Sequence, residues 1–181
     1  MDQLSRGLSK IRKLSSRKDK DLRQACDSVL EVYMRPSPKL RLPPLDRIAT
    51  QSAPALFVSQ HLKSNQAHGG KPGMADQYFL PFRMACQNKN SRIRTTALDC
   101  LEKVIAHGHL VGSKLVSDEG EPPVTLMDEI VDTICECKDV DNDNVQLQVI
   151  KALLTVVSSQ TCEVHKSSLV TAVRACYHIF L

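Results

Sequence analysis

The residues best suited by type to do chemistry in this 181-residue chain are seven cysteines and six histidines. Cys26, Cys86, Cys100, Cys135, Cys137, Cys162 and Cys176 are scattered, and the close pair among them is Cys135/Cys137 in "CEC". Among the histidines the close pair is His107/His109 in "HGH". A structural zinc site commonly draws on two ligand pairs, with two or more residues between the cysteines of each. One C-x-C and one distant H-x-H do not make that pattern, so no metal site is expected. An odd set of thiols at helix-core spacing instead fits small buried hydrophobes in a reducing compartment. A cysteine nucleophile needs a base that converges on it in space, and mere neighbours such as Cys176 and His178 do not supply one. "DVDNDN" (139–144) starts like a calcium loop but lacks the glycine and closing glutamate of an EF-hand. Its Asp and Asn suit a turn and a helix cap better. Walker A, G-x-G-x-x-G, G-x-S-x-G and H-E-x-x-H patterns are all missing from the sequence. The expectation is a chain with no catalytic residues, no cofactor and no small-molecule substrate.

Composition narrows the class further. Aromatic residues make up 4% with no Trp, too few for a stack of nucleobase platforms. No apolar run reaches the length of a spanning helix. "MDQLSRGLSKIRKL" lacks the apolar core of a secretory signal, so the chain reads as cytosolic. Charge is unevenly spread: residues 1–23 carry a net +5, residues 35–72 another +5, and residues 73–181 a net −4. A basic front on an acidic body could touch an anionic membrane or an acidic partner. The simpler reading is a solvated helix face followed by a linker.

The elements that position these residues read as helices. Leu4, Leu8, Ile11 and Leu14, then Leu22, Cys26, Val29 and Tyr33, recur at helical spacing and predict a hairpin within 1–34. Residues 35–73 hold six of the nine prolines and three of the seven glycines, which predicts a disordered linker with at most a short helix near Ala55–His61. A helical domain is expected over 74–181. Its first helix lies within 75–88, with Pro81 either at its first position or kinking it. The second, 91–107, gathers Ile93, Ala97, Leu98, Cys100, Leu101, Val104 and Ile105 on one side. "GHLVGSKLVSDEGEPP" reads as a polar loop. Helix 124–137 buries Leu126, Met127, Ile130, Val131, Ile134 and Cys137, and turns Asp128, Glu129, Asp132 and Glu136 outward. "DNVQLQVIKALLTVVSS" (143–159) is apolar over about 200° of its girth, so it must be covered on more than one side. A final helix, 165–181, is expected to pack Leu169, Val170, Val173, Cys176, Tyr177 and Phe180.

Helix starts near 81, 124 and 166 repeat at the interval of stacked helical hairpins. The predicted fold is therefore all-α, a HEAT/armadillo-like solenoid in which 143–159 is an inner helix. An irregular four-helix bundle is the competing arrangement.

Four stretches carry a family resemblance: "ADQYFLPFRMACQ" (75–87), "LDCLEKVIAHGHLVG" (98–112), "VQLQVIKALLTVVSS" (145–159) and "EVHKSSLVTAVRACYHIFL" (163–181). In order and spacing they resemble the N-terminal dimerisation and cyclophilin-binding domain of the large Sec7-type Arf guanine nucleotide exchange factors, with the brefeldin A-inhibited subgroup most similar. The resemblance implies a regulatory and targeting domain without the Sec7 module. Such a domain would self-associate or contact the downstream homology-upstream region. It would also help recruit an exchange factor to trans-Golgi membranes by binding an activated Arf-like small GTPase. Family members continue past the equivalent of "CYHIFL", so the stack is expected to be incomplete at its C-terminal end. Val173, Tyr177 or Phe180 would then be uncovered.

For the GTPase, the expected surface is the outer stripe of helix 91–107, namely Thr96, Asp99, Lys103 and His107, with His109, Leu110 and Val111 beside it. Leu110 and Val111 could equally cap the hairpin core. Tyr78, Phe79 and Phe82 are a second candidate set, since aromatics anchor interfaces, although a core position suits them as well. The alternative function is a basic N-terminal region, residues 1–34, acting as a weak anionic-membrane or nucleic-acid contact on a helical scaffold.

Overall fold

The computed structural model describes residues 3–34, 75–117 and 124–181. The expected linker over 35–73 and its short helix lie outside the described residues. Among the described residues the α-helices are α1 (Gln3–Leu14), α2 (Lys20–Met34), α3 (Leu80–Cys86), α4 (Ser91–Ala106), α5 (Leu126–Cys135), α6 (Asp143–Ser158) and α7 (Lys166–Phe180). They form an all-α stack of hairpins in two rows. One row runs α1, α4, α6, and the other runs α2, α3, α5, α7, each helix touching the next. A single apolar core threads both rows, from Leu4 in α1 to Ala175 in α7.

Local chemistry sets the helix boundaries. Asn90 caps α4, its side-chain oxygen accepting from the Arg92 N–H at 3.0 Å, and Asn142 caps α6 through the Val145 N–H at 3.2 Å. Pro81 sits in the first turn of α3, where its missing N–H costs nothing. Ser16 and Asp19 close the α1–α2 turn, with the Ser16 N–H donating to Asp19 at 2.9 Å. All seven apolar residues assigned to one side of α4 are buried. Each contributes on the order of 1.5–3 kcal/mol, less for Ala97 and Cys100.

The loop between α4 and α5 departs from expectation. Leu115–Ser117 and Val124–Thr125 pair as two short antiparallel strands, β1 and β2, with Leu115 opposite Thr125. Val116 and Val124 favour extended backbone, and pairing satisfies main-chain groups that a polar loop would leave to water. Helix α5 consequently begins at Leu126. Asp128, expected on the outer face of that helix, is buried. Thr125 and Asp128 form a capping box, and this draws the carboxylate inward.

The remaining corrections concern α6 and α7. Val145, Val149, Leu153 and Val156 of α6 are buried, but Ile150, Leu154 and Val157 are exposed. Helix α4 covers one side of α6, α5 and the 3-10 turn Glu136–Asp139 touch another, and α7 only grazes it, so the apolar arc exceeds what its neighbours cover. Helix α7 buries Ser168, Ala172 and Ala175, small residues that let it sit close. Leu169 and Val170, expected to pack, are exposed instead; Val173, Tyr177 and Phe180 are exposed too, as expected of an incomplete stack, with Phe180 at 85%.

Candidate interaction surface

The outer edge of α4 is a ladder of polar groups, each tied one turn back. The Thr96 hydroxyl donates to the Arg92 carbonyl at 2.8 Å. Lys103 Nζ donates to Asp99 Oδ2 at 2.7 Å, and that hydrogen bond holds the ammonium above its ordinary pKa. His107 ends the helix with Nδ1 2.6 Å from the Lys103 carbonyl oxygen. Its ring stacks on that of His109, with centroids 6.0 Å apart and planes inclined by 19°. The row is solvent-accessible at every one of these five residues.

Beyond His107 the chain turns through Gly108 and Gly112, both at positive φ. At Gly112 a Cβ would lie 2.8 Å from the Met127 nitrogen, so both the turn and the close approach require glycine. Asp76 anchors this loop by accepting from the Val111 N–H at 2.9 Å and the Gly112 N–H at 3.1 Å. The Ala75 N–H donates to the His109 carbonyl at 3.0 Å, and the Met127 N–H to the Gly112 carbonyl at 2.9 Å. A loop pinned from both α5 and the turn before α3 presents its side chains without an ordering cost. Leu110 points inward and is fully buried, while Val111 stays half-buried at the rim.

The aromatic set divides. Phe79 and Phe82 are core residues. Tyr78 is half-buried, its ring meeting Tyr33 of α2 edge-on at 6.0 Å. Seven of the ten candidate residues therefore reach solvent, and Leu110, Phe79 and Phe82 do not.

Most of the cysteines pack in the core. Cys26, Cys86, Cys100, Cys135 and Cys137 are buried, and desolvation pushes the Cys26 thiol up to about 11 and the Cys135 thiol up to about 12, far from nucleophilic thiolates. His178 meets Asp139 at 2.9 Å, a surface pair. The densest polar cluster joins α5 to α7. Asp128 Oδ2 lies 2.8 Å from His165 Nδ1, and Oδ1 accepts from the buried Ser168 hydroxyl at 2.5 Å. Burial pushes the Asp128 carboxyl up, but donors on Ser168, Thr125 and His165 outweigh it and hold it at about 2. The carboxylate stands between Ser and His rather than behind His, so the cluster ties helices together and does not activate a nucleophile. The pattern T-x-x-D at Thr125–Asp128 is the sequence signal that marks Asp128 as a cap.

A second surface lies between α6 and α7. Ile150, Leu154, Val157, Val173, Tyr177 and Phe180 line an almost wholly apolar groove of about 490 Å³. Exposure on the α7 side was foreseeable. The α6 side follows from an apolar arc wider than the neighbours of α6 cover.

Comparison with known proteins places this architecture. The family model described as "Mon2/Sec7/BIG1-like, dimerisation and cyclophilin-binding domain" matches residues 1–181. The human brefeldin A-inhibited guanine nucleotide-exchange protein 1 is 40% identical over 183 residues, covering 98% of this chain and 9% of the relative. The protein of the same name in Rattus norvegicus is 52% identical over 109 residues, 59% of this chain and 6% of the relative. Brefeldin A-inhibited guanine nucleotide-exchange protein 2 of Arabidopsis thaliana is 31% identical over 173 residues, 94% of this chain and 9% of the relative. The chain thus spans less than a tenth of these relatives and corresponds to their dimerisation and cyclophilin-binding domain, not to a Sec7 catalytic domain. It belongs to the Mon2/Sec7/BIG1-like family of such domains.

Proposed function

We propose that this chain is a non-catalytic regulatory and targeting domain of an Arf guanine nucleotide exchange factor. In this reading it supports self-association and recruits the factor to trans-Golgi membranes in vesicle traffic by binding an activated Arf-like small GTPase. The observation that carries the proposal is the pinned α4 edge. Thr96, Asp99, Lys103, His107, His109 and Val111 form a contiguous accessible strip with mixed polarity beside a loop fixed by Asp76. Polar groups already held in place, next to a partly apolar rim, suit a switch region whose shape depends on its nucleotide.

The experiment is a pulldown of the chain with an Arf-like GTPase loaded with GDP or with a non-hydrolysable GTP analogue. Retention is expected on the GTP-loaded form alone. The double variant Lys103→Glu/His107→Glu should lose that retention at unchanged far-UV helicity, because both side chains stand outside the core. Equal retention by the two nucleotide forms would remove the recruitment role.

Self-association is assigned to the α6–α7 groove, with a second copy as its occupant. The family to which the chain belongs is described as a dimerisation domain. The groove carries no charged lining residue, so an apolar helical face of the same kind is its natural complement.

A further inference from the structure

Two of the four basic residues of α1, Arg6 and Lys10, share one cleft. Helix α1 settles on α4 where Gly7 meets Cys100, so closely that a Cβ on Gly7 would lie 2.0 Å from Cys100 Sγ. Only a glycine permits this approach. The Cys100 thiol completes the seam by donating to the Gln3 carbonyl at 3.7 Å. Beside the seam opens a cleft of about 230 Å³. Arg6 and Lys10, one turn apart on α1, form one wall, and Thr96, Asp99 and Lys103 of α4 form the other.

The charges in this cleft do not cancel. Asp99 is engaged by Lys103 at 2.7 Å. Arg6 and Lys10 make no ion pair or hydrogen bond among the described residues, whereas Arg12 farther along the same helix pairs with Asp27 of α2. Three cations and one carboxylate leave a surplus of two positive charges. A carboxylate would neutralise one of them. A phosphate monoester carries about −1.5 to −2 at neutral pH and offers three acceptor oxygens, which matches both the surplus and a guanidinium–ammonium pair.

We propose that the α1–α4 cleft binds a phosphate monoester, with Arg6 and Lys10 as its principal contacts and Lys103 closing the far wall. The monoester could be presented by a lipid headgroup or by a soluble phosphorylated metabolite. The cleft shares Thr96, Asp99 and Lys103 with the strip proposed for GTPase docking, but Arg6 and Lys10 lie outside that strip and the test contains no GTPase.

The 181-residue chain is titrated with glycerol 3-phosphate and followed by ¹⁵N NMR. It is also sedimented with phosphatidylcholine vesicles containing either phosphatidic acid or phosphatidylserine at matched surface charge. Saturable shifts are expected around residues 3–10 and 96–103. The exposed pair Arg6→Gln/Lys10→Gln should weaken them about tenfold or more at constant helicity. Lys13→Gln/Arg17→Gln, outside the cleft, should change affinity by less than about twofold. Preference for phosphatidic acid vesicles would identify a lipid source, and saturation by the soluble ester without that preference a soluble one; either result upholds the site. The proposal fails if neither a saturable shift nor a preference for phosphatidic acid occurs, or if Arg6→Gln/Lys10→Gln binds as the parent does. It also fails if only vesicles bind and phosphatidylserine serves as well as phosphatidic acid.

Discussion

Helices α4 and α7 differ by one residue in length and both carry an apolar side, yet they reach opposite outcomes. In α4 every residue of that side is buried. In α7 the buried residues are Ser168, Ala172 and Ala175, while the larger Leu169, Val173, Tyr177 and Phe180 face outward. The difference lies in the neighbours. Helix α4 is flanked by α1 and α6 in its own row and by α3 across it. Helix α7 leans on α5 through its small-residue face and scarcely meets α6. An amphipathic pattern states which residues can be buried. The stack decides which of them are.

Stability measurements can break this comparison, and the largest effect is expected in α4. Leu101→Ala removes a fully buried side chain and is expected to cost about 2–5 kcal/mol in urea unfolding. Gly112→Ala forces a side chain into positive φ and against the Met127 backbone, with an expected cost of about 1–3 kcal/mol or more. Asp128→Asn weakens the joint between α5 and α7 and is expected to cost about 1–3 kcal/mol.

That joint also has a pH signature. The Asp128 carboxyl titrates at about 2 in the folded chain, against about 3.9 for an unfolded carboxyl. Its folded pKa is depressed, so its contribution is full above the unfolded value and is lost as pH falls through about 2. Acid titration of the parent and of Asp128→Asn should therefore converge between about pH 4 and pH 2. The smallest effect belongs to α7. At concentrations where the chain is monomeric, Val173→Ala trims an exposed side chain and is expected to stay within about 0.5 kcal/mol of the parent. A loss comparable to Leu101→Ala would mean that the α7 face is covered in the isolated chain.

Much of this fold was legible in the sequence because helical periodicity and cap chemistry are local. The α4 arc and a helix cap within 139–144 were readable from a few adjacent residues. What was not legible depends on distant partners. The capping box at Thr125–Asp128 is a local signal, but the further ties of Asp128 to His165 and Ser168 are not. The β1–β2 ladder pairs two segments that show too few residues for a strand period. The candidate surface shows the same split. Thr96, Asp99, Lys103 and His107 could be placed outside α4 by angle alone. Leu110 is drawn into the core by a loop whose Asp76 anchor lies more than thirty positions earlier. Arg6 and Lys10 were visible only as part of a general basic front, because their cleft exists through the Gly7–Cys100 contact.

The claim on which the account turns is that the interior is sealed and the work is done by exposed faces, with the α6–α7 groove open for a second copy. Multi-angle light scattering of the chain beside Leu154→Asp/Val173→Asp tests this most directly. Both residues are already exposed, so the double variant should keep its helicity. The account predicts a concentration-dependent dimer for the parent and a monomer for the variant. A parent that stays monomeric at high concentration, or a variant that dimerises equally well, would contradict it.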